Sequence, residues 1–423
     1  MIISSLFPRY KEHNPLVPVW CVTPAGGGLH RFFDTSPVSP SGRYLAVLRM
    51  PQLERANLPG EAAEVVLVDL HTAEEQVLAA TIGWEYQLGA NINWGADDES
   101  LFFNDVDPKS WQPQVVRINP LTGERRLYEG SIYRISPDGR TIICADAAAM
   151  RRTQFGYGVV VPDERVPRRR GFASDDGLYA TDVATGERKL LVSLRHVMEQ
   201  VVPPAERRQY EDGELYGFHC KFNPQGDRLI FTMRWFPSTP GEPWNKINEG
   251  LRFWVVTMRP DGTDIHLAVG PEQWIKGGHH INWCPDGEHL SMNLKLYGDN
   301  RLLLVQVRYD GTGLRTITEA VPGSGHPTVH PDGRHILTDT YEKEPVAYGD
   351  GTVPLRWIDL QAGSEVAAVR INVAHQGSRN QSFLRVDPHP AWAPDNRHVV
   401  FNGYVDGDRR VFIADMGPLL GLK

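Results

Sequence analysis

The chain has 423 residues, 41% of them hydrophobic and 23% charged, with 32 prolines and 40 glycines. That composition excludes a disordered or fibrous chain. The formal net charge of −8 excludes the basic surface that general nucleic-acid binding requires.

The chain opens Met-Ile-Ile-Ser-Ser-Leu-Phe-Pro, without the charged region and apolar run of a secretory signal. No stretch reaches a membrane-spanning length without charges. The cysteines at 21, 144, 220 and 284 show no CxxC spacing, which fits a reducing compartment. A cytoplasmic protein with neither nucleic acid nor membrane as partner is expected.

Val17–Val22 reads as an isolated strand, followed by a unit that then recurs. Each unit has a short strand, a turn of Ser-Pro-Asp-Gly type, a strongly apolar strand, a third strand and a Thr-Gly-type turn. The first turn centres on Pro40, Ala96, Pro137, Pro224, Pro285, Pro331 and Pro394, giving seven copies. The strand after it reads Tyr44–Leu48, Leu101–Phe103, Thr141–Ile143, Leu229–Phe231, His289–Met292, His335–Thr338 and Val399–Phe401. Third strands follow, such as Val65–Leu70, Leu178–Val183 and Val411–Ala414. Turns at Leu121–Glu124 and Ala184–Glu187 lead into a fourth.

Four strands repeated radially predict an all-β, seven-bladed propeller occupying 1–423 as one domain. The last unit ends at Met416 with three strands, and Val17–Val22 is expected to supply the fourth and close the ring. Residues 206–214 read as a polar loop. The 146–175 and 234–250 loops are long enough to be functional. The first carries Arg151, Arg152, Arg165, Arg168, Arg169 and Arg170; the second carries Arg234, Trp235 and Trp244.

His219, His280, His326 and His389 each lie five residues before the turn proline, at one register of four consecutive units. In a closed propeller that register rings one mouth of the central channel, and grouped histidines and carboxylates form metal or catalytic sites. Asp387 precedes His389 by two residues, so in an extended segment both side chains point the same way. Pro388 between them favours that conformation. Imidazole and carboxylate together suit Mn²⁺, Zn²⁺, Fe²⁺ or Ni²⁺. His279 is expected on the opposite strand face, in a structural role. His330 and Cys284, nearer the far strand ends, offer donors for a second metal site.

At this point the sequence resembles the oligogalacturonate lyases. The matching segments are His30-Arg31-Phe32-Phe33, Gly217-Phe218-His219, His280 to Gly287, Gly325-His326-Pro327, Asp387 to Pro394, and the ending from Phe401 to Met416. The resemblance implies a cytoplasmic seven-bladed propeller that cleaves uronic acid-containing oligosaccharides by β-elimination with Mn²⁺. By position it implies His280 and His389 as metal ligands and His219 as the catalytic histidine. Two departures stand out: the family's His-Pro-His is Asp387-Pro388-His389 here, and its glutamine ligand falls on Leu384. Asp387 can replace a histidine ligand, Leu384 cannot replace glutamine, and His326 or a water is expected to complete the sphere.

The expected site therefore has His280, His326, Asp387 and His389 for the metal and His219, Arg31 and Arg170 for catalysis. His30, Arg168, Arg234 and Trp235 are expected to bind an acidic oligosaccharide. The alternatives are a lyase on another uronate polymer such as ulvan or a glycosaminoglycan, a metal-dependent hydrolase or isomerase, and a non-catalytic sugar- or protein-binding propeller.

Overall fold

The computed structural model describes residues 1–237, 250–297, 300–375 and 384–422. Among them, seven four-stranded antiparallel sheets follow one another as the blades of a β-propeller. No helix of the described residues is long and apolar enough to cross a membrane.

The strands take the places their patterning predicts. A second strand such as Leu101–Val106 is buried along almost its whole length, because neighbouring blades cover both its faces. The outermost strand of the same blade, Arg125–Glu129, is exposed except at Tyr128. Closure comes from Val19–Cys21, which pairs with the last full strand through Val19 to Ala414, Trp20 to Ile413 and Cys21 to Phe412. That join removes two open sheet edges at once.

The irregular segments are better ordered than their composition predicts. Within 146–175, Ala147–Thr153 is a helix capped by Asp146, whose carboxylate accepts from the N–H groups of Ala148 and Ala149. That helix buries Arg151 and Arg152, which pair with Glu85 at 2.6 Å and Glu214 at 3.4 Å. The expected 206–214 loop is largely structured. It follows the helix Leu194–Val201, passes through turns at Pro204–Arg207 and Arg208–Tyr210, and enters a strand at Gly213. Trp244 lies outside the described residues.

Three first turns share a device legible as Pro-Asp-x-x-His. Asp286, Asp332 and Asp395 each accept two backbone N–H groups from residues two and three ahead. Each also contacts the Nδ1 of His289, His335 or His398 at 2.7–2.8 Å. Burial alone would raise these carboxyls. The histidine and backbone hydrogen bonds outweigh it, holding Asp286 and Asp395 below the usual range and Asp332 at about 2. A depressed carboxyl stabilises the fold above its unfolded pKa, and the contribution is lost as pH falls through the folded value. Melting temperature is therefore expected to drop between pH 5 and pH 2. Asp332→Asn should lower stability at pH 6 by about 1 kcal/mol, allowing for solvent screening of a partly exposed group, and should flatten the acid limb. An acid limb as steep as that of the parent chain would contradict this account.

Candidate functional site

The four histidines converge on one side chain. Phe32, 1% exposed, has its ring centroid 5.5 Å from that of His219, 6.1 Å from His280, 5.6 Å from His326 and 4.6 Å from His389. Local backbone irregularity aims the rings. In blade four the pairing register shifts between Gly217 and Cys220, and in blade five between His279 and Asn282. Such bulges re-aim a side chain across a sheet. His280 and His389 are also left-handed, with φ of 63° and 49°, a strained conformation for a residue with a Cβ. Gly325, with φ of 60°, needs its missing side chain: a Cβ there would lie 2.1 Å from the Asp339 carbonyl.

His326, Asp387 and His389, all buried, bring one donor atom each within 4.8 Å of the others. Their remaining contacts leave those donors available. Asp339 faces His326 Nδ1 at 2.8 Å and also accepts the backbone N–H groups of His326 at 2.7 Å and His389 at 3.0 Å. His326 Nε2 and both ring nitrogens of His389 have no hydrogen-bond partner. Buried polar atoms left so cost roughly 1–3 kcal/mol each, and a bound cation would satisfy them. Burial first, then neighbouring His326, holds His389 well below its ordinary pKa, which keeps it in the neutral form a metal requires. Arg385 Nε donates to Asp387 Oδ2 at 2.7 Å and orients that carboxylate. The donor set fits a divalent cation of the Mn²⁺ to Zn²⁺ series.

His280, expected among the ligands, falls outside this three-residue group, with its ring centroid 3.8 Å from that of His326. Its Nδ1 lies 2.6 Å from the Gly325 carbonyl and 2.7 Å from His279 Nδ1, and its Nε2 lies 3.1 Å from the Tyr341 hydroxyl. The blade-five bulge also brings His279 onto the same side as His280 rather than the opposite face. Leu384, where the glutamine was expected, is fully buried in an apolar cluster with Leu48 and Tyr86. His330 uses both ring nitrogens, one with the Asn396 carbonyl and one with the Asp332 N–H. Among the described residues, the His326–Asp387–His389 group is the one cluster of metal-ligating type.

A cavity of about 130 Å³ opens beside the cluster, walled by His219, His279, His280, Arg234, Arg385, Tyr157, Tyr341 and Gln154. His219 stacks on Phe218 at 3.7 Å, and its buried Nε2 has no partner. Burial, then the charge of Lys221, pushes its pKa well below the ordinary value, so it is a neutral proton acceptor near pH 7. Arg234 lies 3.7 Å over Phe218 and is held by Gln154 at 2.6 Å, with its Nε unpartnered. Burial raises the Tyr157 and Tyr341 hydroxyls, so both keep their protons.

Several expected residues stand elsewhere. Trp235 follows Arg234 on the strand and so faces the other way, donating to the Tyr210 carbonyl. Arg168 is exposed and pairs with Glu214 at 3.2 Å, and Arg170 is exposed outside the cavity wall. His30 is buried against the Pro388 carbonyl at 3.4 Å. Arg31 turns into the channel, bonding Thr35 and Asn93 and stacking on Tyr133. The residues that sequence reasoning missed are Arg385, Asp339, Tyr341, Tyr157 and Gln154. Strand alternation carried a signal for one of them, since Arg385, Asp387 and His389 are spaced by two.

Asp339→Asn is expected to weaken divalent-metal binding by about 10–100-fold, the usual effect of removing a ligand's hydrogen-bonded carboxylate. Calorimetric titration with Mn²⁺ measures it; an unchanged affinity would remove Asp339 from this role.

No protein-family model and no curated protein sequence matches the chain. Solved structures do. An oligogalacturonate lyase in complex with manganese aligns over 98% of both chains at 17% identity, with a TM-score of 0.62. An oligogalacturonate lyase from Vibrio parahaemolyticus aligns over 98% of both at 15% identity, with a TM-score of 0.63. At these identities the likeness is one of fold.

Proposed function

We propose that the chain, acting as a single propeller domain, is a lyase. It cleaves uronic acid-containing oligosaccharides by β-elimination, with a divalent cation held by His326, Asp387 and His389. The observation that carries this reading is the placing of three buried donors beside a cavity that also holds a neutral histidine and two arginines. The manganese in one structural relative supports the choice of Mn²⁺.

Elimination removes the proton at C5 of a uronate, and charge then builds on the adjacent carboxylate. A bound cation supplies Lewis acidity at that carboxylate. Arg234 orients the acidic sugar through its unpartnered edge. His219 accepts the C5 proton at Nε2, the atom left without a partner. Tyr157 and Tyr341 keep protons at the cavity wall, where a departing C4 oxygen needs one. Phe32 and Phe218 exclude water around His219, which strengthens every charge interaction there.

Oligogalacturonate, ulvan and glycosaminoglycan fragments, each incubated with the protein, test the proposal through the ultraviolet absorbance of unsaturated uronate. Absorbance growth on one of them is expected. New reducing ends without absorbance would indicate hydrolysis instead, and neither signal would leave a binding propeller.

A further inference from the structure

The opposite mouth of the channel holds a second cavity, about 520 Å³, lined by the turn residues Pro40, Pro137, Pro224 and Pro394. It shares no lining residue with the cavity at the histidines. Three cations and one carboxylate cluster here, Arg134 and Asp34 in the cavity wall and Arg31 and Lys221 behind it. Lys221, 3% exposed, pairs with Asp34 at 2.7 Å, and the two charges cancel. Thr35 Oγ1 donates to the same carboxylate and accepts hydrogen bonds from both Arg31 and Arg134.

Two guanidinium groups thus meet at a neutral hydroxyl. Arg31 is 4% exposed, and its Nε and Nη2 have no hydrogen-bond partner. Arg134 reaches Asp34 only at 4.0 Å. Among the described residues, Asp34 is the one carboxylate paired with any of the three cations. Two like charges so placed repel strongly away from bulk water, and buried charges are ordinarily paired. Arg134, Thr35 and Asp34 line the cavity, together with Asn93, Ser136 and Asn282, which offer neutral hydrogen bonds, while Arg31 and Lys221 lie behind this wall.

We propose that this mouth binds a small dianionic oxyanion of phosphate type, held by the forked guanidinium group of Arg134 with the positive charge of Arg31 behind it. Two excess positive charges match a dianion, and the cavity has the size of a small-molecule site. The site is separate from the histidine mouth and does not depend on the proposed lyase activity.

The test is thermal melting of the full chain against inorganic phosphate, with sulfate as a second dianion and acetate and chloride as monoanions at equal ionic strength. A saturable rise in melting temperature with phosphate and sulfate is expected. It should persist in His389→Ala, where phosphate on a metal could not produce it, and in Arg259→Gln, an exposed control. Affinity should fall roughly tenfold or more in Arg134→Gln. Should that variant fail to fold, Arg134→Lys keeps the charge but not the fork and is expected to bind several-fold more weakly. Calorimetric titration of the unaltered protein with phosphate measures the site directly. No saturable binding, equal shifts with acetate and chloride, loss of the effect in His389→Ala, or equal affinity in the Arg134 and Arg259 variants would overturn the proposal.

Discussion

Replacing His219 by alanine is expected to lower kcat by a factor of about 10²–10⁴, the usual contribution of a positioned proton acceptor. Folding and metal content should be retained. The expectation rests on separation of roles within one mouth. His219 lines the cavity with Nε2 unpartnered, whereas the proposed ligands are His326, Asp387 and His389. His219→Gln preserves much of the bulk against Phe32 and Phe218 and distinguishes a packing effect from a chemical one. Both variants should turn over slowly at every pH while binding Mn²⁺ as the parent does. Retained turnover would remove His219 from proton transfer; lost metal would place it among the ligands.

The second large effect concerns the metal. His389→Ala and His326→Ala are each expected to weaken Mn²⁺ binding by more than the 10–100-fold of an outer partner such as Asp339, with activity falling in step. His280→Ala is expected to weaken it much less. His280 spends its nitrogens on Gly325, His279 and Tyr341, while His326 Nε2 has nothing to bond. The sequence reading put His280 among the ligands, so metal titration of the 280 and 326 variants decides between the two assignments. Equal losses in both would restore His280 to the sphere.

The propeller was legible because its signals are local. A turn chemistry repeated seven times and apolar strands after each turn need no tertiary information, and a unit short of one strand pointed to Val17–Val22 as its complement. The histidine register was legible for the same reason, through its constant distance from the turn proline. Orientation was not. That His279 and His280 both face the cavity depends on a bulge in blade five, and a bulge shifts side chains across a sheet without leaving a mark in composition. Asp339 was missed because its contacts are with His326, 13 residues away across a hairpin of its own blade, and with His389, 50 residues away in the next blade. The arginines of 146–175 looked like a substrate-binding surface, yet Arg151 and Arg152 are buried by a helix and neutralised by Glu85 and Glu214. Arg234 and Trp235 were both expected at the substrate from a loop, but they are neighbours on the strand Leu229–Pro237, so their side chains face opposite ways.

The measurement that bears most directly on metal-assisted elimination uses one preparation three times. Unsaturated-uronate absorbance is followed on a cleaved substrate before chelation, after chelation, and after Mn²⁺ is restored. Absorbance growth, its loss on chelation and its return with the metal are expected. Product formed at the same rate throughout, or chain cleavage without absorbance, would contradict metal-assisted elimination.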